Sequence, residues 1–449
     1  MSRRVVITGL GPASGLGLGI DETWQKVLAG HCVIERIKAF DPSRFDCQIA
    51  SEITQAFVIR DYVPKSYRKA TKVMARDIEI AVAAADLAAK DAKLKTKSTS
   101  PEGPVDYEPF QLGVHIGAGL IAADLNELTA ALAEAKFNEG PQIGKFDMHK
   151  WGSHGMEQLT PLWLLKYLPN MLACHVTIIH DAQGPSNTIT CAEASSGLSI
   201  GESLRVIQRN AADACICGGT ESKLNPMAFL RQEFTARLIC TCNADPANAV
   251  RPFDENAGGM VIGEGGAIVI LESLDCFEKR KAASSDAADA YAEVIGFSSS
   301  QTINPAKKNR EPDIEGRAIA TAIKSAMAEA GTHPEEIDLI VPMGSGIPTW
   351  DMAELAAMRN VFGNRLSDIP VLCPKSLVGN CGAGAGGLDV CITAKAIAEQ
   401  TIPPIVNRDQ PRDGIGKGTR EARQVTIRYA LTFTSGYGGQ NTAMVFKRI

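Results

Sequence analysis

Hydrophobic positions along this chain switch repeatedly between β-like runs and helical spacing, which predicts a mixed α/β order of elements. Val5-Val6-Ile7-Thr8 is a short β-branched run that reads as a buried first strand. Asp21-Glu22-Thr23 followed by Trp24 and Val27-Leu28 reads as a capped short helix. From Lys69 to Lys90 the positions Val73, Ala75, Ile78, Ile80, Ala81, Ala84 and Leu87 predict a helix of about six turns, closely packed because its residues are small. Residues 92–111, with Lys93, Lys95, Lys97, Pro101, Gly103 and Pro104, predict a surface loop, and the strand Leu112-Gly113-Val114-His115-Ile116-Gly117 follows. After an irregular stretch from about 135 to 160, Leu162 to Leu172 reads as a helix with apolar side chains toward a pocket or a dimer contact.

Gly184 to Gly197 passes from β-branched residues through small ones into a helix, a strand-turn-helix elbow. The elbow helix is expected from about Ala194 to Arg209, with Leu198, Leu204 and Ile207 on one face, and a strand over 213–218 follows it. Met260 to Leu271 gives further strand material, and Glu278 to Asp289 is polar and linker-like. A second half opens at Tyr291 to Phe297. It continues with a helix over 316–330, strands at Leu339-Ile340-Val341 and Val371-Leu372, a helix over 384–399, and an antiparallel pair around 425–434 and 442–447.

Composition narrows the function classes. A net charge of −5 over 449 residues, with no long basic run, gives no push toward nucleic acid or anionic membrane. The longest apolar stretches fall short of the ~20 residues of a membrane span, and the N-terminal apolar run is too short for a signal peptide, so a cytoplasmic protein is expected. The twelve cysteines show no paired CxxC spacing, and His149 and His154 have no Cys or acidic partner at ligand spacing. Neither a metal nor a cofactor is expected, and the thiols read as reduced.

The elbow carries the chemistry. Such a turn places residue 193 at a helix N-terminus, where unpaired N–H groups and the helix dipole favour negative charge. A cysteine there would be activated as thiolate. Glu193 is comfortable there and a poor acyl acceptor.

Ordered motifs surround the elbow. They include Arg3-Arg4-Val5-Val6-Ile7-Thr8-Gly9-Leu10-Gly11, Gly184-Pro185, Gly201-Glu202, the strand Ala212 to Glu221 and Arg251-Pro252-Phe253-Asp254. Later come Gly263-Glu264-Gly265-Gly266-Ala267, Lys375-Ser376 and Gly436-Tyr437-Gly438-Gly439-Gln440-Asn441. With these the chain resembles, over nearly its whole length, the β-ketoacyl-acyl-carrier-protein synthases, decarboxylating condensing enzymes of the thiolase superfamily. The resemblance implies a five-layered αβαβα thiolase-like fold of two similar halves, here about 1–280 and 290–449. It also implies an acyl carrier protein as partner, and a homodimer or a heterodimer with an active synthase.

Active members carry a Cys and two His residues. Aligned on the motifs, those positions fall on Glu193, Met343 and Asn380, all replaced. Met343 offers no N–H to a developing oxyanion, whereas the Asn380 amide can donate, as in some initiating relatives. Lys375 is assigned by the resemblance to the polar network behind the catalytic groups, with a buried structural ion pair as its alternative. Tyr437, Gly438 and Gly439 are assigned to substrate binding, Tyr437 as an aromatic gate or as packing. Cys191, expected on the strand and buried beneath the elbow, and Cys381 are the displaced nucleophiles to consider. Related subunits with Gln at the Cys position act as chain-length factors beside an active synthase. That role is expected here, the alternative being altered acyl-thioester chemistry by Glu193 or a displaced Cys, as a decarboxylase or acyltransferase. Arg68, Lys69 and Arg209 are the expected carrier-docking residues.

Overall fold

The first strand, β1 (Val5–Ser14), runs well past the apolar tetrapeptide that announces it. Its Gly9 and Gly11 explain the length: the alanine-rich helix α1 (Arg76–Asp91) lies directly on them. A Cβ at Gly11 would stand 2.0 Å from the Ala84 carbonyl oxygen, and one at Gly9 2.3 Å from that of Ala88. Small residues on both sides therefore set the contact between strand and helix. The structure is a computed structural model that describes residues 3–54, 57–283, 288–307 and 310–449.

Four strands join β1 in the first half: β2 (Leu112–Ala118), β3 (Ser186–Ile189), β4 (Ala214–Glu221) and β5 (Gly265–Ser273). They lie in the order β3-β2-β4-β5-β1, with β3, β2 and β4 parallel and β5 antiparallel to both β4 and β1. The second half holds β6 (Ala292–Gln301), β7 (Leu339–Val341), β8 (Tyr429–Ser435) and β9 (Gln440–Lys447). Here the order is β7-β8-β9-β6, with β7 parallel to β8 and β9 antiparallel to both β8 and β6, and Val371 bridges Ile340 in the parallel sense. The two halves thus repeat one topology strand for strand, a duplication that residue identities barely betray. They meet where β1 pairs antiparallel with β6, Val5 opposite Val294 and Ile7 opposite Ala292.

Helices complete the layers. α1 and α2 (Met171–His180) cover the outer face of the first half, while α4 (Arg317–Ala330) and α5 (Pro348–Phe362) cover that of the second. Between the halves lie α3 (Ser195–Gln208) and α6 (Ala385–Glu399), giving the thiolase-like α/β/α/β/α sandwich. Strand faces alternate as the period of two requires. On β5, Ala267, Val269 and Leu271 join the central core with Ile200, Leu204 and Ile392, whereas Ile268 and Ile270 join the outer core with Ile78 and Val176. Cys215 and Cys217 pack on the central side as small apolar residues, away from any disulfide or metal arrangement.

Several expected boundaries move. The helix foreseen from Lys69 begins at Arg76, after a 3-10 turn at Ala70–Val73, because Met74 and Ala75 are extended and Met74 turns into the core. The helix foreseen over Leu162–Leu172 is a 3-10 turn, Trp163–Tyr167, and then α2: Pro169 forces extended backbone on Leu168. Part of the linker-like stretch is helical, Leu274–Ala283, with 284–287 outside the described residues.

Candidate active site

The elbow forms as foreseen, but its geometry is sharper. β3 ends at Ile189, so Cys191 lies beyond the strand and is half-buried rather than sealed beneath it. The reversal falls on Ala192, a non-glycine residue in the left-handed region at φ 48°. Ser195 Oγ accepts from the Cys191 N–H (2.8 Å) and donates to the Ala192 carbonyl (2.7 Å), pinning the turn. Glu193 then projects from the mouth of α3 into a buried space.

Three elements other than α3 supply its hydrogen bonds. Oε1 accepts from Arg237 Nη2 and, at 3.0 Å, from Asn380 Nδ2. Oε2 accepts from the backbone N–H of Tyr437 at 2.8 Å. The Asn380 amide is oriented by its own Oδ1, which accepts from the Gly382 N–H (2.9 Å) and so leaves Nδ2 facing Glu193. Asn380 Nδ2 and Arg237 Nη2 also both approach Met260 Sδ, at 3.1 and 3.4 Å.

Burial alone would raise the Glu193 pKa. The charges of Arg237 and Lys223, the Tyr437 N–H and the Arg237 hydrogen bond outweigh it and bring the pKa down to about 2. The carboxylate is therefore held ionised chiefly by the neighbouring cations and the donors that bond it. Arg237 is itself buried, with its guanidinium carbon 4.9 Å from the Tyr437 ring centroid and 5.4 Å from that of Trp350. Those rings stack 6.5 Å apart at 19°.

Of the residues singled out in the sequence, Glu193, Asn380 and the Tyr437 backbone come together. Lys375 does not bond Glu193: it pairs with the buried Asp389. Met343 follows β7 and is buried, and none of the donors to Glu193 comes from its loop. Gly438 and Gly439, at φ 106° and 93°, make the tight turn that carries the Tyr437 N–H; the Gly439 carbonyl accepts from Thr302 N–H at 2.7 Å. Cys381 is buried with its thiol pushed up to about 12, and burial raises Cys191 as well, so neither is poised as a thiolate. Arg209 caps the far end of α3 and pairs with Glu202, away from the elbow. Among the described residues no group of three or more His, Cys, Asp or Glu is arranged to hold a metal, and no helix is long and apolar enough to cross a membrane.

Sequence reasoning missed Arg237, Trp350, Met260 and Lys223. One signal was available: a buried carboxylate requires a nearby cation, and Lys223 and Arg237 follow β4, the strand that leaves the elbow helix.

The family descriptions "Beta-ketoacyl synthase, N-terminal domain" and "Beta-ketoacyl synthase, C-terminal domain" match residues 2–276 and 291–409. This chain belongs to the β-ketoacyl synthase family. It is 32% identical over 456 residues to 3-oxoacyl-[acyl-carrier-protein] synthase 2 of Coxiella burnetii, covering 100% of this chain and 99% of that one. The enzyme of the same name from Staphylococcus aureus is 29% identical, with the same coverage. Among solved structures, the ishigamide ketosynthase/chain length factor superposes with a TM-score of 0.80 at 25% identity, over the whole of both chains. A β-ketoacyl synthase from Burkholderia phymatum does so at 0.82 and 24%, again over both whole chains, a likeness of fold. The chain is thus a ketosynthase homologue of fatty acid or polyketide type.

Proposed function

We propose that this ketosynthase homologue no longer forms carbon–carbon bonds and serves as a chain-length-factor-like subunit that shapes the acyl tunnel of an active partner synthase. The observation that carries this reading is the closed shell around Glu193, whose ionised carboxylate is held by Arg237, Asn380 and the Tyr437 N–H. A carboxylate with a pKa of about 2 is a feeble base, and as a nucleophile it yields no thioester intermediate. With Met343 at the first His position, an oxyanion donor is missing, a loss worth about 10²–10³ in rate. Decarboxylation and transfer by Glu193 are disfavoured on the same grounds, and the raised thiols of Cys191 and Cys381 disfavour a displaced nucleophile.

Partners follow from likeness and surface. The relatives are named for an acyl carrier protein, and one similar fold was solved as a type II ketosynthase in complex with its acyl-carrier protein. Lys65, Arg68, Lys69 and Lys72 are exposed within eight residues of one another and suit an acidic carrier. The edge strand β3 and the exposed apolar side chains of Leu120, Met148, Leu162 and Ile178 suit a subunit contact.

The test is condensation between acyl- and malonyl-carrier protein, measured with this chain alone, with a candidate partner alone, and with both. The expected outcome is no elongation by the lone chain and a change in product length when it joins the partner. Robust elongation by the lone chain overturns the reading.

A further inference from the structure

Glu193 and Arg237 are delivered to each other by matching backbone devices. Each follows an alanine held in the left-handed region, Ala192 at φ 48° and Ala236 at φ 55°. A Cβ makes that region costly, so both turns are retained against local preference by the surrounding fold. Arg237 is also clamped through its main chain. Its carbonyl accepts from the Met260 N–H (2.9 Å), the Met260 carbonyl accepts from the Ile239 N–H (2.9 Å), and the Gly259 N–H donates to Gly346 (3.0 Å). The guanidinium is therefore set in place rather than carried on a free arm, and only 6% of the residue is exposed.

Its position decides what can reach the elbow. An acyl thioester reacting at residue 193 would need to bring its carbonyl carbon to that side chain and its oxygen to a backbone donor. The Tyr437 N–H already donates to Glu193 Oε2, the Asn380 amide already donates to Oε1, and Arg237 stands between Glu193 and the Trp350 and Tyr437 rings. Arg237 Nε is buried without a hydrogen-bond partner, so the side chain is kept there by Glu193 and the two rings despite an unsatisfied donor.

We infer that Arg237 is the residue that closes this subunit's own acyl site, filling the approach to residue 193 so that an acyl-pantetheine thioester is excluded from it. This rests on reading the elbow as the family's acyl site. The closure is internal to the chain and needs no partner, so acyl chains handled by an assembled complex pass through the other subunit's pocket.

The experiment is a calorimetric titration of the full chain with octanoyl-pantetheine. The wild type is expected to show no saturable binding, whereas Glu193→Ala/Arg237→Ala, which removes both charges together, gains binding by at least about tenfold because the approach is vacated. Should that variant not fold, Glu193→Gln/Arg237→Ala, whose single amide oxygen still accepts from one of the Tyr437 and Asn380 donors, takes its place with the same expectation. Saturable binding by the wild type equal to that of the variant overturns the inference, and so does a folded variant that gains none. Because binding to the lone chain is read here, its failure is separate from failure of the chain-length role, which is read from product length in the presence of a synthase.

Discussion

Both oxygens of Glu193 are engaged by donors fixed on other elements, and this sets what the residue contributes to stability as well as to chemistry. Removing one member of a buried ion pair strands the other, at a cost of about 3–5 kcal/mol. Arg237→Met is accordingly expected to lower the unfolding free energy by about that much in urea titrations. Glu193→Gln leaves the buried Arg237 cation without its counter-charge and is expected to cost a comparable amount, about 3–5 kcal/mol. The pH dependence has a definite sign. The folded pKa of about 2 lies below the usual 4.5, so the stabilisation is complete above 4.5 and is lost as pH falls toward 2. Glu193→Gln should flatten that acid limb, and an unchanged slope between pH 5 and 2.5 would count against the ion pair. Glu193 and Asn380 were legible in the sequence because motifs flank them. Arg237 was not, since it is a lone arginine in Thr235-Ala236-Arg237-Leu238 whose meaning arises only from a contact with a residue 44 positions earlier.

At the scale of elements, the sequence patterns hold wherever packing repeats and fail where the backbone departs from a period. α3, α4 and α6 fall within a residue or two of expectation because each presents an apolar face to a sheet. The helix at 69–90 and that at 162–172 fail because a buried methionine and a proline, single residues inside periodic stretches, override the pattern. The loop after β7 is held by buried carboxylates as well as by apolar contacts. Asp351 of α5 accepts from the Phe253 and Gly346 N–H groups, and Glu354 accepts from the Gly344 N–H and Ser435 Oγ at 2.9 and 2.7 Å. Burial, reinforced by the charge of Asp351, pushes Glu354 up to about 8, and burial pushes Asp351 up to about 7. A carboxyl whose pKa is raised on folding destabilises the native state as pH climbs from its usual value through the folded one. Melting temperature is therefore expected to fall between pH 5 and 8, and Glu354→Gln, whose amide keeps the shape while Ser435 reverses its hydrogen bond, should make that fall shallower. An identical slope in the variant would assign the pH dependence to other groups.

The whole molecule is built from two halves that repeat one strand order and sense, from β3-β2-β4-β5-β1 to Val371-β7-β8-β9-β6. Conservation of topology without conservation of residues is why the repeat is faint in residue identities, is expected from the repeated order of elements and the family resemblance, and is plain in the pairing registers. One face of the first half stays unfinished. Leu120 and Ile178 are 69% and 61% exposed, Met148 and Leu162 are exposed too, and β3 offers an edge with a parallel neighbour on one side only. Single exposed apolar residues are unremarkable, but their concentration within residues 120–178, and the packing of α2, which carries Ile178, on the open edge strand β3, suit the subunit contact proposed above. The opposite edge of the same half is continued by β1, which pairs on both sides with β5 and β6. Leu120→Glu/Ile178→Glu should therefore leave the melting temperature of the isolated chain within about a degree or two, since neither side chain fills the core. The same change should abolish co-elution with a partner synthase in light-scattering chromatography, because two carboxylates would have to be desolvated at the contact. Co-elution preserved in the double variant would move the subunit contact away from this face, and a collapse in the melting temperature would make these residues part of the fold rather than of an interface.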